Sequence, residues 1–156
     1  MRASGGIWTL EDLDSYVVKE RAPITLDYRG WKILTAPPPS SGGIVLGEML
    51  NMLAGYDLAK LDQVHRVHLS VEAMRRAYRD RAEYLGDPDY VDMPINELLS
   101  PLYAAGLRAS IHPEKATPSD LLPGYMPPGE PEHTTHYSII DADGNALAMT
   151  TTIEAA

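Results

Sequence analysis

The residues that could do chemistry are concentrated in one short stretch, Glu132 to Glu154. Two runs rich in threonine, tyrosine and isoleucine flank Asp141-Ala142-Asp143-Gly144-Asn145, a pattern that predicts a β-hairpin. Side chains alternate between the two faces of a strand, so one face of the first strand should carry Thr134, His136 and Ser138. By the same rule one face of the second should carry Thr150, Thr152 and Glu154. The hairpin therefore gathers hydroxyl groups and a carboxylate at its open end, with Thr134 and Glu154 close together.

Threonine pairs are frequent in sheets, so the hairpin alone is more typical of an ordinary strand pair than of a catalytic site. The hairpin also carries a more specific pattern of three segments. In chain order they are Thr134-Thr135-His136-Tyr137-Ser138, the Asp141–Asn145 turn and Thr150-Thr151-Thr152-Ile153-Glu154. This arrangement resembles the start of the small subunit in the γ-glutamyltranspeptidase family. Proenzymes of that family cut themselves before the first of these threonines. The resemblance thus implies cleavage of the bond between His133 and Thr134.

The resemblance also implies roles for the hairpin residues. A hydroxyl needs a base beside it to act as a nucleophile, and a free α-amine, with an unperturbed pKa of roughly 8, can serve. Thr134 at a new N-terminus would supply both groups. By the same resemblance Thr152 orients and activates Thr134, and Glu154 binds the α-amino group of the substrate. A carboxylate facing an ammonium group suits that last role.

Four further matches occur in family order along the chain. They are Gly5-Gly6-Ile7 with Thr9 and Glu11-Asp12-Leu13, Tyr28-Arg29-Gly30, Pro37 to Gly43, and Arg79 to Tyr90. The resemblance assigns residues 1–133 to the C-terminal part of the large subunit, with a processing loop at 113–133. It assigns residues 134–156 to the first β-hairpin of the small subunit. The expected fold is α+β, an incomplete part of the αββα N-terminal-nucleophile hydrolase sandwich.

The function that this implies is hydrolysis or transfer of γ-glutamyl groups from glutathione and other γ-glutamyl amides, with water, an amino acid or a peptide as acceptor. No cofactor or metal is implied, and the two subunits are expected to pair after cleavage. The family suggests a periplasmic or extracellular location, and a cytoplasmic one stays open. The family's substrate-binding arginine would precede Met1 and its glycine pair for the oxyanion would follow Ala156. We therefore expect this chain alone to be inactive.

Two alternatives stay open at this point. One is an amidohydrolase similar to the glutaryl and cephalosporin acylases of the same superfamily. The other is a non-catalytic fragment whose open sheet edge binds a partner chain. Composition excludes other classes: with 156 residues, 44% hydrophobic content and a net charge of −9, the chain suits one soluble domain rather than a nucleic-acid binder. It has no cysteine and no apolar run long enough to predict a membrane span.

Local signals predict the remaining elements. A helix should begin at Thr9, which with Asp12 forms a capping box, and Ile24 to Tyr28 should pair with Trp31 to Thr35. Later helices are expected at Ile44 to Leu53, at Asp62 to Leu85, and from Ser100-Pro101 to about Ser110. The longest should bury an apolar stripe of Val64, Val67, Val71, Met74, Tyr78 and Leu85. Six prolines between Pro113 and Pro131 predict an extended, exposed linker.

Three other patterns could suggest binding sites, and none is favoured. The helical spacing of His65, His68 and Glu72 allows a metal ion, but polar residues at this spacing usually form a solvated face. The glycine-rich turn at residues 40–43 lacks the lysine of a phosphate loop. The Asp141 turn has Ala146 and Thr152 where a calcium loop needs glycine and glutamate, so we reject calcium there.

Overall fold

The computed structural model describes residues 5–122 and 134–152, and the chain divides into two compact units, Met1–Gly124 and Tyr125–Ala156. The first unit holds helices and one β-hairpin, and the second holds another hairpin. In chain order the elements are α1 (Leu10–Asp14), β1 (Ile24–Tyr28), β2 (Trp31–Thr35), α2 (Gly42–Leu53), a 3₁₀ turn (Leu58–Lys60), α3 (Gln63–Tyr84), α4 (Ile95–Leu98), α5 (Pro101–Ala109), a second 3₁₀ turn (Ser119–Leu121), β3 (Thr134–Ile140) and β4 (Ala146–Thr152). Among the described residues no helix could cross a membrane.

Side chains at the starts of α1, α3 and α5 explain why the predicted bounds of these helices agree with the structure to within two residues. The Thr9 hydroxyl accepts a hydrogen bond from the Asp12 amide at 3.1 Å, and the Asp12 carboxylate accepts one from the Thr9 amide at 2.7 Å. This is the predicted capping box. Asp62 caps α3 and Ser100 caps α5 in the same way, each accepting from a backbone amide of the first turn. Each of these side chains satisfies donors that a helix cannot satisfy by itself.

The predicted first hairpin is confirmed, with the same strand bounds. Its antiparallel register pairs Ile24 with Thr35 and Tyr28 with Trp31. Arg29 and Gly30 form the two-residue connection with φ of 50° and 85°, and two positive φ values match the twist of the flanking strands.

The core of the first unit lies where α2, α3 and α5 meet. Its buried residues are Val45, Met52, Leu53, Leu69, Ala73, Ala77, Ala104 and Ile111. Gly47 lies at a close approach to the hairpin, because a Cβ atom there would come within 2.9 Å of the Leu26 side chain and 2.5 Å of the Leu99 side chain. These contacts hold α2 against β1 and against the segment that follows α4.

The face by which α3 packs is different from the one predicted. Five members of the expected stripe are exposed, from 75% for Val64 to 43% for Met74. The buried face instead carries Leu69, Glu72, Ala73, Arg76, Ala77 and Asp80. The prediction was wrong because it counted apolar residues only. Alanines at this face allow close approach of α2, and the charged side chains there have partners within the fold.

The linker expected at residues 113–131 is only partly as predicted. Its described part, residues 113–122, is exposed as predicted apart from half-buried Thr117 and Leu122, and it contains no α-helix or strand. It is nevertheless tied to the fold, because Thr117 makes hydrogen bonds to buried Glu72 and Arg76, and a 3₁₀ turn follows at Ser119–Leu121. The rest, residues 123–133, lies outside the described residues. The predicted subunit boundary at His133–Thr134 therefore stays a prediction.

Candidate active site

The second unit confirms the hairpin predicted around the candidate catalytic threonines. β3 and β4 pair in antiparallel register from Thr134 opposite Thr152 to Ile140 opposite Ala146. The register brings the backbone of Thr134 and of Thr152 together as direct partners at the open end. Two residues separated by 17 intervening positions in the sequence thus lie side by side.

The register depends on the turn at the other end of the hairpin. Asp141 organises it: one carboxylate oxygen accepts hydrogen bonds from the amides of Asp143 at 3.0 Å and Asn145 at 2.8 Å. The other oxygen accepts from the Asn145 side chain at 2.8 Å. The Asn145 bonds lower the pKa of Asp141 below its usual value. Gly144, with φ of 85°, supplies the left-handed conformation that lets the chain reverse.

His136 confirms part of the predicted polar face of the hairpin. Its Nδ1 lies 2.7 Å from the Thr150 hydroxyl on the opposite strand, and its Nε2 lies 3.2 Å from the Ser138 hydroxyl. His136 and Ser138 therefore lie on one side of β3, and Thr150 faces the same side from β4, as expected from alternation.

The structure describes two of the predicted site residues, Thr134 and Thr152. Thr134 lies in β3 with an exposed side chain, and the backbone of Thr152 ends β4 opposite it. His133 and Glu154 lie outside the described residues. The proximity predicted between Thr134 and Glu154 therefore stays a prediction.

The three residues considered as metal ligands on α3 bind other partners. His65 contacts Asp62 at 2.9 Å, His68 contacts the carbonyl of His112 at 2.8 Å, and Glu72 lies in the buried face. The structure does not bring these side chains to a common point. Within residues 5–122 and 134–152, no cluster of three or more histidine or acidic side chains could hold a metal ion.

Sequence reasoning missed a buried polar cluster formed by Glu72, Arg76 and Thr117. Glu72 and Arg76 are each 1% exposed and form an ion pair at 2.7 Å. Burial alone would raise the pKa of Glu72, but hydrogen bonds from Thr117, Arg76 and Arg75 lower it to about 2. The available signal was the four-residue spacing of Glu72 and Arg76, which puts them on one helix face. Nothing local indicated that Thr117 would join them.

A second buried cluster, also missed, joins α2, α3 and α5 through Glu48, Asp80 and Tyr103. The Tyr103 hydroxyl donates to Asp80 Oδ2 at 2.7 Å. In the described part of the chain, both Glu48 oxygens and Asp80 Oδ1 have no hydrogen-bond partner. Burial and then the nearby Asp80 carboxylate raise the pKa of Glu48 to about 9. Glu48 therefore keeps its proton at neutral pH, because losing it would place a second buried charge beside the Asp80 carboxylate.

Known proteins share this architecture. The chain is 50% identical over 155 residues to the glutathione hydrolase proenzyme of Pseudomonas sp. (strain A14), covering 98% of this chain and 27% of that protein. The crystal structure of Helicobacter pylori γ-glutamyltranspeptidase matches with a TM-score of 0.73 and 43% identity, over 77% of this chain and 35% of that one. The cephalosporin acylase of Bacillus halodurans matches with a TM-score of 0.73 and 29% identity, over 99% of this chain and 27% of that one.

These likenesses confirm the predicted fold class. The helices of the first unit and the threonine hairpin of the second form part of an α+β, N-terminal-nucleophile hydrolase fold. The family model described as Gamma-glutamyltranspeptidase matches residues 1–156, and the chain belongs to this family. The chain spans about a quarter of the length of the curated relatives it matches.

Proposed function

We propose that this chain carries the nucleophile of a γ-glutamyl hydrolase or transferase, and that Thr134 is that nucleophile. The observation that carries the proposal is the register of the hairpin, which sets Thr134 opposite Thr152 at the open end. Thr134 begins β3, so cleavage of the preceding bond would free its α-amine without breaking the strand pairing. The relatives named as glutathione hydrolase proenzymes support both the self-cleavage and the substrate class.

Self-cleavage and catalysis would use the same hydroxyl. In maturation Thr134 Oγ attacks the carbonyl carbon of His133, the peptide C–N bond breaks, and water hydrolyses the resulting ester. The products are a carboxylate on His133 and a free amine on Thr134. In turnover the amine accepts the hydroxyl proton, Oγ attacks the γ-glutamyl carbonyl, and the leaving amine departs with a proton. Water or an amino acid then attacks the new ester and releases the hydroxyl.

Two further residues complete the proposed site. Thr152 orients the Thr134 hydroxyl, a role supported by its position as the direct strand partner of Thr134. Glu154 binds the α-ammonium group of the substrate, a role that rests on the match between its position and the family pattern. After cleavage the large and small subunits would stay paired, as the proenzyme relatives suggest.

Replacing Thr134 by alanine tests the proposal in a proenzyme that carries these residues in a chain of family length. Thr134→Ala should remain one chain on a denaturing gel, because no other hydroxyl replaces the attacking one. Thr135→Ala is the matched control, since it removes the neighbouring hydroxyl from the other face of the same strand, and it should still be cut. An alanine variant at position 134 that was cut at the same bond with equal speed would refute self-cleavage by Thr134.

A second candidate function is hydrolysis of glutaryl and related amides. It is favoured by the cephalosporin acylase structure, which matches nearly the whole of this chain. Both candidates use the same nucleophile and differ in whether the acyl group carries an α-amine. Turnover of a γ-glutamyl anilide and a glutaryl anilide by one enzyme preparation separates them, and we expect the γ-glutamyl substrate to be preferred.

A further inference from the structure

One side chain beside the proposed nucleophile is held by contacts at both of its polar atoms. His136 lies two residues after Thr134 in β3 and directly opposite Thr150 in β4. Since alternate residues of a strand share a face, His136 lies on the same face of β3 as Thr134. Its Nδ1 lies 2.7 Å from Thr150 Oγ1, and its Nε2 lies 3.2 Å from Ser138 Oγ. Both ring nitrogens are therefore held within the hairpin.

The two contacts of the His136 ring have different effects. The contact with Thr150 crosses from β3 to β4, so it joins the two strands by their side chains in addition to the backbone pairing. The contact with Ser138 runs along β3 and sets the orientation of the ring. A hydroxyl can both donate and accept a hydrogen bond, so either tautomer of His136 can keep both contacts. The cross-strand contact therefore does not depend on which ring nitrogen carries the proton.

The opposite face of the hairpin offers a comparison. Tyr137 and Met149 are direct strand partners there, and the Tyr137 hydroxyl lies 2.7 Å from Met149 Sδ. A thioether sulfur is a weak acceptor, so this contact adds less to the strand pairing than one between a ring nitrogen and a hydroxyl. It also lies on the face opposite the proposed nucleophile. His136 and Thr150 thus form the stronger of the two contacts, and they form it on the nucleophile's own face.

The position of this contact matters because cleavage would make Thr134 the first residue of its chain. Thr134 begins β3, and its strand partner is Thr152 at the end of β4. The terminal residues of a strand fray readily, because the chain holds them on one side only. Before cleavage, the peptide bond to His133 restrains Thr134 from the other side as well. The mature form therefore depends more than the precursor on contacts that keep the open end of the hairpin closed.

We propose that His136 is a positioning residue for Thr134, and that its contact with Thr150 limits fraying of the strand that the nucleophile begins. The inference rests on the proposed function, because it needs a mature chain that starts at Thr134. In the proposed mechanism the base is the α-amine of Thr134, and His136 transfers no proton. It acts through the strand pairing, by holding the amine and the hydroxyl of Thr134 in one place.

The main variant is His136→Ala, made in a proenzyme of family length and measured with a γ-glutamyl anilide after cleavage and purification. A frayed nucleophile leaves the substrate bound but unreacted, so the loss should appear in kcat rather than in KM. The strength of one ordinary hydrogen bond limits the effect, and we expect kcat to fall about three- to fivefold. Maturation should slow by less than about twofold, because His133 still restrains Thr134 in the precursor.

Two amide substitutions separate positioning from proton transfer. An asparagine side chain places its amide where Nδ1 of histidine lies, and the longer glutamine side chain reaches the position of Nε2. His136→Asn can therefore keep the contact with Thr150, whereas His136→Gln can keep only the contact with Ser138. We expect His136→Asn to restore kcat to within about twofold of wild type, and His136→Gln to be as slow as His136→Ala. An amide is not a base at neutral pH, so recovery in His136→Asn cannot come from proton transfer.

Thr150→Val tests the other partner and does not depend on the folding of the His136 variants. Valine keeps the shape and the strand preference of threonine but lacks the hydroxyl. The variant should lose the same factor in kcat as His136→Ala. The double variant should be no slower than either single one, since both changes remove one contact. Tyr137→Phe is the matched control, because it removes the cross-strand contact from the opposite face, and it should leave kcat unchanged.

The outcomes separate this proposal from the one on which it rests. A cleaved His136→Ala enzyme with the wild-type kcat would overturn the positioning role and leave the proposed function standing. His136→Asn as slow as His136→Ala, or losses that multiply in the double variant, would also overturn it. Equal losses in maturation and in kcat would do the same, since they would show that the contact only stabilises the hairpin. A Thr134→Ala chain cut at the same bond at the wild-type rate would overturn the proposed function, and the positioning role with it.

Discussion

Replacing Glu48 by glutamine should make the folded chain less sensitive to alkaline pH. Glu48 is 1% exposed, and the groups that face it are Asp80 on α3 and the Tyr103 hydroxyl on α5. Arg79 Nη1 lies 3.9 Å from Asp80 Oδ1. Glutamine has nearly the same shape as glutamate and stays neutral at every pH.

The expected magnitude follows from the raised pKa of Glu48. The pKa is about 9 in the folded chain against a normal value of 4.5. Between these two pH values the folded state keeps a proton that the unfolded state has lost, so raising the pH favours unfolding. The stabilisation is complete below the unfolded pKa and is lost as pH rises through the folded one. The slope is at most about 1.4 kcal/mol per pH unit, or about 3 kcal/mol between pH 6 and pH 8.

The assay is denaturant unfolding of wild type and Glu48→Gln at several pH values from 5 to 9. The free energy of unfolding should fall with pH more steeply in the wild type, and the two curves should separate by a few kcal/mol at pH 8. Glu83→Gln, an exposed change on α3, is the control and should keep the wild-type slope. Parallel curves for wild type and Glu48→Gln would refute the idea that Glu48 is buried in its protonated form.

Two further predictions concern the proposed active site. Thr152→Ala should slow both maturation and hydrolysis of a γ-glutamyl anilide, since both use the Thr134 hydroxyl, whereas Thr151→Ala should not; unaltered rates in both assays would remove Thr152 from the site. Glu154→Gln should raise KM for γ-glutamyl substrates with a smaller effect on kcat, because attraction of the α-ammonium acts in the ground state and the transition state alike. The loss should shrink for glutaryl substrates, which have no α-amine, and equal losses for both would show that Glu154 does not bind that group.

Several elements could be predicted because the interactions that form them are local. The capping box of Thr9 and Asp12 spans three residues, and the Asp141 side chain bonds to residues within four positions of itself. The two-residue turn at Arg29-Gly30 likewise specifies the first hairpin. Strand alternation then placed His136, Ser138 and Thr150 correctly on one face. The candidate nucleophile came from a longer pattern, the family resemblance, rather than from any local rule.

The packing of α3 could not be predicted in this way. A hydrophobic stripe indicates which face of a helix can be buried. The face that is buried depends on the elements that pack against the helix. In α3, the face with alanines and paired charges packs against α2 and α5. Val64 and Tyr78 are exposed although both fit the helical apolar pattern.

The sequence by itself determined where α1, α2, α3, α5 and the two hairpins lie, because capping, turn formation and strand alternation act within a few residues. It did not predict α4. Only the tertiary structure decided that Thr117 would donate hydrogen bonds to Glu72, which lies 45 residues earlier in the chain. It also decided that Glu48 would lie buried beside Asp80. The physical reason is that burial sets the cost of an unpaired charge or donor. A buried charged group must therefore have a partner, and that partner can come from any part of the fold. The spacing of residues along the chain does not predict which distant residue it will be.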